Sequence, residues 1–497
     1  MVEIRNIINQ NIWWKDKNFE RFDKHLKELE GHLIKFKRKD ISFKKGKIYL
    51  IRGPRQTGKT TYIKQTISKL IKENINPKTI LYFACDFLAS RRELRNVINY
   101  FLDMNISAEN LYIFLDEITY LKDWSYEIKS LVDAGLFEDV VLVLTGSGSA
   151  RMKRNAELLP GRGLEGNEYL LKPLTFREFA LQSISSNALL KKIVREKLSN
   201  YLEKLKEELY NTSITLEDDF KDIIKNINQI VVFQSELDFL FDMYILTGGF
   251  PKPINEYIGN NFNSINEETY TTMVKIVLGD FYKYGKQESI ARQIFEEILR
   301  KYGSRYSFIA LSKNMDITHP TLIEYIELLK ESFITHILYS IDFKKGTPSY
   351  KANKKIYLTD PFMFHSINSL LKGSNAYDLS KEMFSDERML SSIVESIVGS
   401  HLSQLKEKPY LKEPETFLYY FYNPIRELDF IYKKDNSDYL GIEVKYQKKV
   451  KMSDIAKITQ IDKFIVLTKS TLEIKENMIL VPISVFLSLL EKSEKCL

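Results

Sequence analysis

The sequence has little cysteine and no long apolar run, and both absences narrow the kind of protein it encodes. Cys85 and Cys496 are the two cysteines in 497 residues, so neither a disulfide framework nor a cysteine-based zinc site is expected. No uninterrupted apolar stretch reaches the length of a membrane-spanning helix. The first residues, 1–6, lack the charged and apolar regions of a secretory signal, so we expect a cytoplasmic protein without membrane contact.

Charge of one sign and repetitive organisation are also scarce. The net charge of +7 is modest and both signs are mixed along the chain, which permits nucleic-acid contact without requiring it. We find no internal repeat, no low-complexity linker and no Asn-Lys-x-Asp motif for reading guanine, which disfavours a GTPase. What is present is length and apolar content: 497 residues with 44% hydrophobic side chains predict about three domains with ordinary cores.

The segment at residues 51–61 is typical of a phosphate-binding loop. It fits G-x-x-x-x-G-K-[ST] after an apolar strand and before a helical segment. Glycine lets successive backbone N–H groups converge on phosphate oxygens at the positive end of the helix. Lys59 is expected to reach the β- and γ-phosphates of ATP, and the Thr60 hydroxyl to bind Mg²⁺. The residues predicted to bind the nucleotide are Gly53, Pro54, Arg55, Gln56, Thr57, Gly58, Lys59, Thr60 and Thr61.

A second phosphate-site element follows the apolar run at 111–115, which predicts a buried parallel strand. The run ends in Asp116-Glu117. Asp116 is predicted to hold Mg²⁺ with Thr60, and Glu117 to polarise a water for attack on the γ-phosphate. The alternative is a helix N-cap acid after a core strand. Paired carboxylates favour hydrolysis over transfer to a metabolite, so the predicted enzyme is an ATPase.

Two more polar groups are candidates for this chemistry. The strand at 140–144 ends in Thr145-Gly-Ser-Gly-Ser149, where Thr145 or Ser147 is predicted to orient the attacking water. Arg162, between two glycines, is a candidate to stabilise γ-phosphate charge, in cis or across a subunit boundary. An arginine in an ordinary surface loop is the alternative.

These motifs, together with the stretch 173–179 (Pro-Leu-Thr-Phe-Arg-Glu-Phe), resemble the prokaryotic AAA-related P-loop ATPases that are abundant in archaea and are also described as AAA+-like or STAND-like. In that family the ATPase precedes a winged helix and a C-terminal region similar to restriction endonucleases. The resemblance therefore implies an α/β protein: a parallel P-loop sheet flanked by helices, then a winged helix, then a smaller α/β restriction-endonuclease-like domain. It also implies ATP and Mg²⁺ as cofactors.

The predicted domains are an N-terminal helical segment at 1–40, a P-loop ATPase core at 41–180, a helical insertion or lid at 181–287, a winged helix at 288–360 and the restriction-endonuclease-like domain at 361–497. Trp13 and Trp14 are expected to pack beside the ATPase core or to stack on the nucleotide base, with core packing favoured. The Lys- and Glu-rich stretch 189–228 carries Leu198, Leu202, Leu205 and Leu209 at helical spacing and predicts an exposed lid.

The winged helix is predicted from a helix at 290–302, the stretch 307–313 and a second helix that starts at Pro320, after a Thr318 or His319 cap, and ends at residue 330. A strand pair between residues 333 and 359 follows. Such a unit can place a helix in the DNA major groove, with wing lysines on phosphates. The second helix, however, carries Glu324 and Glu327 and no arginine, so protein docking is an equal alternative.

A second group of chemical side chains lies near the C-terminus. Strand alternation puts Asp429 on one face of a predicted hairpin with Glu443 and Lys445. Two carboxylates and a lysine resemble the metal site of restriction-endonuclease-like nucleases, and the resemblance adds Glu395 on a preceding helix. A surface hairpin with a Glu443–Lys445 ion pair is the alternative.

Three functions follow from these predictions. The first is an ATP- and Mg²⁺-dependent switch that couples hydrolysis to DNA or protein engagement by the winged helix and C-terminal domain. The second is an ATP-regulated, metal-dependent DNA nuclease that uses Asp429, Glu443 and Lys445. The third is an ATP-dependent protein scaffold. The expected partners are ATP and either DNA, a protein partner or further copies of the chain.

Overall fold

The computed structural model describes residues 3–147, 161–186, 199–409, 412–451, 455 and 457–497. These residues form two compact units. The first comprises Met1–Lys172 with Lys495–Leu497, and the second comprises Pro173–Glu494.

The first unit is built on a five-stranded parallel sheet in the order β2-β3-β4-β1-β5. Its strands are β1 Lys47–Arg52, β2 Ile80–Ala84, β3 Leu111–Asp116, β4 Val140–Gly146 and β5 Glu168–Leu170. β4 is buried along its whole length, as expected for a strand covered on both faces. The four strands predicted near residues 48, 80, 111 and 140 and their parallel arrangement are confirmed.

Helices cover both faces of this sheet. They are α1 Ile4–Gln10, α2 Lys24–Glu30, α3 Lys59–Lys72, α4 Arg91–Met104 and α5 Trp124–Asp133. Successive strand residues point to opposite faces, so Ile48 and Leu50 join the core beneath α4 and α5, whereas Tyr49 and Ile51 join the core beneath α3. Two separate hydrophobic cores, one on each face of the sheet, therefore fix the positions of the strands and of the loops at their carboxyl ends.

The N-terminal segment covers the free edge of β2. Asn11 donates to the Tyr82 carbonyl at 2.9 Å and accepts from the Tyr82 N–H at 2.7 Å, and the Trp13 indole donates to the Ile80 carbonyl at 3.0 Å. Trp13 is 1% exposed. Side chains therefore satisfy backbone groups that an edge strand otherwise leaves unpaired, and the packing role favoured for Trp13 is confirmed.

The second unit begins with helices and contains thirteen of them among the described residues. They are α6 Phe176–Ile184, α7 Ser199–Asn211, α8 Phe220–Ile230, α9 Gln234–Thr247, α10 Pro251–Gly259, α11 Glu267–Lys283, α12 Glu288–Arg300, α13 Phe308–Asn314, α14 His319–Glu331, α15 Pro361–Lys372, α16 Ala376–Glu382, α17 Glu387–Ser403 and α18 Ile483–Leu489. The helices α12, α13 and α14 precede a strand pair, which is the element order of a winged helix.

A single nine-stranded sheet runs through the second unit in the order β13-β14-β12-β11-β10-β9-β7-β8-β6. Its strands are β6 Arg305–Tyr306, β7 Thr335–Asp342, β8 Thr347–Leu358, β9 Leu418–Tyr422, β10 Glu427–Lys433, β11 Tyr439–Lys445, β12 Lys463–Thr468, β13 Glu473–Lys475 and β14 Met478–Pro482. β7 pairs with β9 in parallel, so the predicted wing strands and the predicted C-terminal hairpin share one sheet across residue 360. The division into five domains stays a prediction.

The stretch predicted as an exposed lid is described from residue 199 onward; Leu189 and Leu198 lie outside the described residues. Leu202, Leu205 and Leu209 on α7 are 1%, 0% and 0% exposed. α7 packs on α6 and α8 through this apolar face. Its charged residues cover the opposite face, so the described part is an amphipathic helix with a buried side. Across the described residues, no helix has both the length and the apolar character needed to cross a membrane.

Candidate nucleotide site and a second carboxylate cluster

The loop between β1 and α3 has the backbone shape that its glycines permit. Gly58, the N-cap of α3, has φ +92°, in the left-handed region that glycine enters without steric cost. A Cβ on Gly53 would lie 2.0 Å from the carbonyl oxygen of Leu171, so a side chain is excluded there. The loop therefore wraps the N-terminus of α3, where backbone N–H groups and the helix dipole favour an anion.

Lys59 lies inside this loop. Its ammonium donates to the carbonyl oxygens of Gly53 at 2.9 Å and Pro54 at 2.8 Å, and Lys59 is 5% exposed. The Thr57 hydroxyl also donates to Pro54, at 2.9 Å. A buried cation beside the first turn of a helix provides positive charge for phosphate oxygens bound by the loop.

Asp116 lies at the carboxyl end of β3 and is held by hydroxyl groups. Its Oδ2 accepts from the Thr60 hydroxyl at 2.7 Å and from the Tyr82 hydroxyl at 3.0 Å, while its Oδ1 accepts from the Thr145 hydroxyl. The predicted Thr60–Asp116 pair is therefore brought together, and a hydroxyl with a carboxylate is a donor set that suits Mg²⁺. Burial raises the pKa of the Tyr82 phenol, which keeps it a hydrogen-bond donor.

Glu117 has φ +51°, an uncommon conformation that turns its side chain away from the strand direction. Its Oε2 accepts from the Ser147 hydroxyl at 2.9 Å and from the Ser147 N–H at 3.2 Å. Arg55 of the loop donates from Nε to the Ser147 hydroxyl at 3.3 Å. The three side chains form a chain of hydrogen bonds from the loop to the predicted base. Ser149, in the same predicted strand end, lies outside the described residues.

Arg162 is not part of this arrangement. Its Nε and Nη2 donate to the Asp133 carboxylate at 2.8 and 3.0 Å, at the C-terminal end of α5. The neighbouring Gly163 carbonyl accepts from Ile48 at the start of β1. Since the phosphate loop follows the other end of β1, Arg162 lies at the opposite edge of the sheet. The predicted roles of Arg162, in cis and across a subunit boundary, stay predictions.

Two contacts at the nucleotide site were missed by sequence reasoning. Tyr82 contributes a hydroxyl to Asp116, and Arg55 was predicted as a loop residue without its link to Ser147. Tyr82 carried a detectable signal, because a polar aromatic side chain in a strand that neighbours β3 reaches the same edge. Arg55 carried none beyond its place in the loop.

The predicted C-terminal residues are also brought together. Asp429 on β10 and Glu443 on β11 face each other, with the Asp429 N–H donating to Glu443 Oε2 at 3.3 Å. Lys445 Nζ lies 2.6 Å from Glu443 Oε1. Glu395 approaches from α17, where burial and then the nearby Asp429 raise the pKa of its carboxyl to about 7. Burial and Asp429 likewise raise the pKa of Glu443, to about 8.

Sequence reasoning missed the residue at the centre of this cluster, Lys355 of β8. Its Nζ lies 2.8 Å from Glu395, 3.0 Å from Asp429 and 3.3 Å from Glu427, and its side chain is 1% exposed. In the sequence, Lys354 and Lys355 look like two exposed lysines of the predicted wing. The contact of Lys355 with Asp429 joins residues 74 positions apart, and no local pattern predicts it. Within the described part of the chain, no group of three or more His, Cys, Asp or Glu residues has the geometry for a metal ion.

Comparison with known proteins gives partial matches at the sequence level. Two uncharacterized proteins of Methanocaldococcus jannaschii are each 24% identical to the chain, over 350 and 344 residues. These matches cover 68% and 65% of the chain and 67% and 63% of the relatives. Family models of two domains of unknown function match residues 238–374 (DUF8612) and 390–486 (DUF4143).

Solved structures give weak likenesses. RuvB of Thermotoga maritima is 14% identical, with a TM-score of 0.24 over 67% of this chain and 89% of that one. Cdc6p of Pyrobaculum aerophilum is 13% identical, with a TM-score of 0.21 over 75% of this chain and 95% of that one. TM-scores this low carry no argument about the complete molecule.

The first unit is where geometry and comparison agree. A family model described as an AAA domain matches residues 45–180, the range that contains the loop, the Thr60–Asp116 pair and Glu117. The parallel sheet carries these residues at one edge, as a P-loop nucleotide domain requires. Residues 45–180 are therefore similar to an AAA domain, in sequence and in the placement of the phosphate-loop residues.

Proposed function

We propose that the protein binds ATP with Mg²⁺ at residues 53–61 and hydrolyses it, and that this turnover switches how the second unit engages DNA or a protein partner. One observation carries the proposal. Lys59, the Thr60–Asp116 pair and Glu117 converge at the carboxyl edge of one parallel sheet. Those are the parts that phosphoryl transfer to water needs: a phosphate cradle, a metal site and a base.

The roles of the side chains follow from their positions. Backbone N–H groups at the start of α3 bind the phosphates, and Lys59 neutralises charge on the terminal ones. Thr60 and Asp116 would hold Mg²⁺, which would draw charge from the phosphate oxygens. The hydroxyls of Tyr82 and Thr145 keep the Asp116 carboxylate in place. Glu117 accepts the proton of the attacking water on its Oε2 atom, and Ser147 orients that carboxylate oxygen.

The switch rests on the chain of hydrogen bonds from Arg55 through Ser147 to Glu117. Arg55 belongs to the loop that binds phosphate, and Glu117 is the proposed base. A γ-phosphate attracts the Arg55 guanidinium, because arginine binds phosphate more strongly than it binds a neutral hydroxyl. Once Arg55 has left Ser147, the Glu117 carboxylate can exchange its hydrogen bond with Ser147 for one with the attacking water. Phosphate binding thereby controls whether Glu117 is available as a base.

The test of hydrolysis uses two lysines of the same helix. Lys59→Ala is expected to abolish nucleotide binding and ATP hydrolysis. Lys69→Ala serves as the matched control, because Lys69 is an exposed residue of α3 whose ammonium pairs with Asp40 at 2.7 Å. Calorimetry with ATP and a phosphate-release assay give the readouts. Unchanged nucleotide affinity in Lys59→Ala would refute the proposed site.

Glu117→Gln separates binding from chemistry. Removing a general base costs about 10²- to 10⁴-fold in rate, so hydrolysis is expected to fall by that range while ATP still binds. The measurement is single-turnover hydrolysis beside an equilibrium titration. A variant that hydrolyses ATP at the wild-type rate would assign the base elsewhere.

The partner is the second question. The exposed face of α14 carries Ile323 and Glu324, and Glu324 pairs with Lys286. The lysine of this helix, Lys330, pairs with Glu415 at 3.1 Å, so the helix is poorly suited to reading bases. Exposed Lys344, Lys345 and Lys351 on the β7–β8 hairpin favour phosphate contact by the wing instead. DNA affinity is to be measured against salt concentration with ADP and with a slowly hydrolysed ATP analogue. Affinity that falls with salt and differs between the nucleotides supports a DNA-coupled switch, and no binding in either state supports a protein partner.

A further inference from the structure

We propose that the carboxylate cluster of the second unit contains its own cation, the ammonium of Lys355, which occupies carboxylate oxygens of Glu395 and Asp429 that a divalent metal would need. The cluster consists of Glu395, Glu427, Asp429 and Glu443 with Lys355 and Lys445. It holds the second unit together and cleaves nothing. This inference is independent of ATP hydrolysis and goes beyond the proposed function.

The first argument is that every carboxylate oxygen of Asp429 and Glu443 already has a donor from the protein. Oδ1 of Asp429 lies 3.0 Å from Lys355 Nζ, and its Oδ2 accepts from the Val444 N–H at 3.0 Å. Oε1 of Glu443 lies 2.6 Å from Lys445 Nζ, and its Oε2 accepts from the Asp429 N–H at 3.3 Å. All four carboxylate oxygens thus have protein donors. A divalent metal bound to both carboxylates must displace these donors, and the Lys355 ammonium is one of them.

The second argument is charge and burial. Lys355 is 1% exposed and contacts three carboxylates. Burial by itself lowers the pKa of its ammonium, but the neighbouring Glu395, Asp429 and Glu427 raise that pKa well above its usual value. A divalent cation binding to Asp429 and Glu395 needs the same oxygens and meets the ammonium at contact distance. Arg305 lies 3.6 Å from Glu427 and adds a further positive charge at the rim. A metal ion must therefore compete with the Lys355 ammonium for these oxygens.

The third argument is the direction of Lys355 compared with its neighbour. Lys354 donates to the carbonyl oxygens of Tyr350 at 2.6 Å and Ala352 at 2.9 Å, near the end of the hairpin. Strand alternation sends Lys355 to the other face, together with Tyr357, whose hydroxyl donates to Glu395. Lys354 therefore binds backbone carbonyl groups of the hairpin, whereas Lys355 binds the carboxylates of the cluster. A substitution of Lys354 is the matched control for a substitution of Lys355.

The functional consequence concerns what the second unit does with a nucleic acid. With Lys355 in place, contact with DNA leads to binding without phosphodiester cleavage. The restriction-endonuclease-like arrangement of Asp429, Glu443 and Lys445 then acts as a structural joint between β8, β10, β11 and α17. The nuclease interpretation is accordingly disfavoured against the switch.

The experiment is a titration of the full-length protein with Mn²⁺ in the absence of nucleotide. Asp429→Asn in the wild-type background isolates the contribution of the cluster from any metal bound at the phosphate loop. We expect equal Mn²⁺ binding with and without this substitution, and no Mn²⁺-dependent cleavage of plasmid DNA. Mn²⁺ binding that is lost in Asp429→Asn, or cleavage that is lost in Glu443→Gln, overturns the inference.

Removing the ammonium supplies the complementary result. Lys355→Met keeps the length of the side chain but frees the carboxylates, so one additional Mn²⁺ ion is expected to bind and to raise the melting temperature of the variant. Lys354→Met is expected to bind no additional Mn²⁺ ion. The double variant Lys355→Met with Asp429→Asn is expected to lose the additional ion that Lys355→Met binds. A folded Lys355→Met protein that gains no Mn²⁺ also overturns the inference. The wild-type comparison decides the question if Lys355→Met fails to fold.

Discussion

At the scale of single residues, His401 shows how burial fixes a protonation state. Its Nδ1 donates to the Ile397 carbonyl at 2.7 Å and its Nε2 accepts from the Phe176 N–H at 2.7 Å. An imidazolium has no acceptor, so protonation breaks the bond to Phe176. Burial lowers the pKa of His401 from 6.5 to about 4. The side chain therefore joins α6 to α17 in its neutral form.

Stability of the second unit is expected to depend on pH through this residue. Because the unfolded chain takes up a proton at a higher pH than the folded one, the free energy of unfolding falls as pH decreases from 6.5 to about 4. Each unit of pKa difference corresponds to about 1.4 kcal/mol. The facing charges, Glu178 and Lys492, pair with each other at 2.7 Å and largely offset one another.

The measurement is urea denaturation at several pH values for wild type and His401→Gln. The glutamine variant keeps an acceptor without a titrating ring, so its stability is expected to fall less steeply over that pH interval. His319→Gln, at an exposed position, is the control and is expected to follow the wild type. Parallel pH profiles for wild type and His401→Gln would contradict the assignment.

At the scale of elements, the turn after α9 is held by close backbone contact. The Gly249 N–H donates to the Asp360 carboxylate at 2.8 Å, and its carbonyl accepts from the Leu174 N–H at 2.8 Å. A Cβ on Gly249 would lie 2.2 Å from the Leu174 carbonyl oxygen. Asp360 also accepts from Phe362 at the start of α15, so one carboxylate joins the turn to that helix.

Gly249→Ala is expected to destabilise the second unit by roughly 3 kcal/mol or more, because the obstructing atoms belong to the backbone and cannot rotate away. Gly373→Ala is the control: Gly373 has φ +63° at the end of α15, but a Cβ there meets nothing within 4 Å. Its cost is the backbone strain alone, about 1 to 2 kcal/mol. Equal losses in chemical denaturation for the two variants would mean that the close contact contributes nothing.

At the scale of the whole molecule, the first unit is assembled from two distant parts of the chain. Leu497 is 1% exposed and belongs to the core that also contains Trp13 and Tyr62. Its N–H donates to the Leu170 carbonyl at 2.8 Å, beside β5. Arg38 donates to the carbonyl oxygens of both Leu497 and Thr57. One arginine side chain therefore connects residue 497 to the phosphate loop.

Leu497→Ala is expected to destabilise the first unit by about 2 to 5 kcal/mol, the usual cost of truncating a buried leucine. The loss should be visible in the thermal transition that ATP and Mg²⁺ are expected to shift, since the proposed nucleotide site lies in the first unit. Leu33→Ala, at a leucine of the same unit that is 48% exposed, is expected to have little effect. A Leu497→Ala protein with an unchanged nucleotide-sensitive transition would contradict this role.

Predictability differed between the two units for a physical reason. Strands β1 to β4 of the first sheet were recognisable because each is a short, continuous apolar run. β5, with Glu168 at its start, has no such run and was missed. In the second unit, the hairpin of β10 and β11 was recognised from alternation and a polar turn. The parallel pairing of β7 with β9 was not, because strands that are distant in the chain pair through register and not through local pattern.

The amino-acid sequence alone determined the phosphate loop, the Asp116-Glu117 strand end and the order of the elements, since each depends on residues that are neighbours in the chain. Tertiary structure alone decided that Arg162 faces Asp133 at the far edge of the sheet and that Lys355 lies among the carboxylates of β10 and α17. Contacts across tens or hundreds of residues arise only when strands pair and helices pack, because burial then brings together charges that the linear sequence keeps apart.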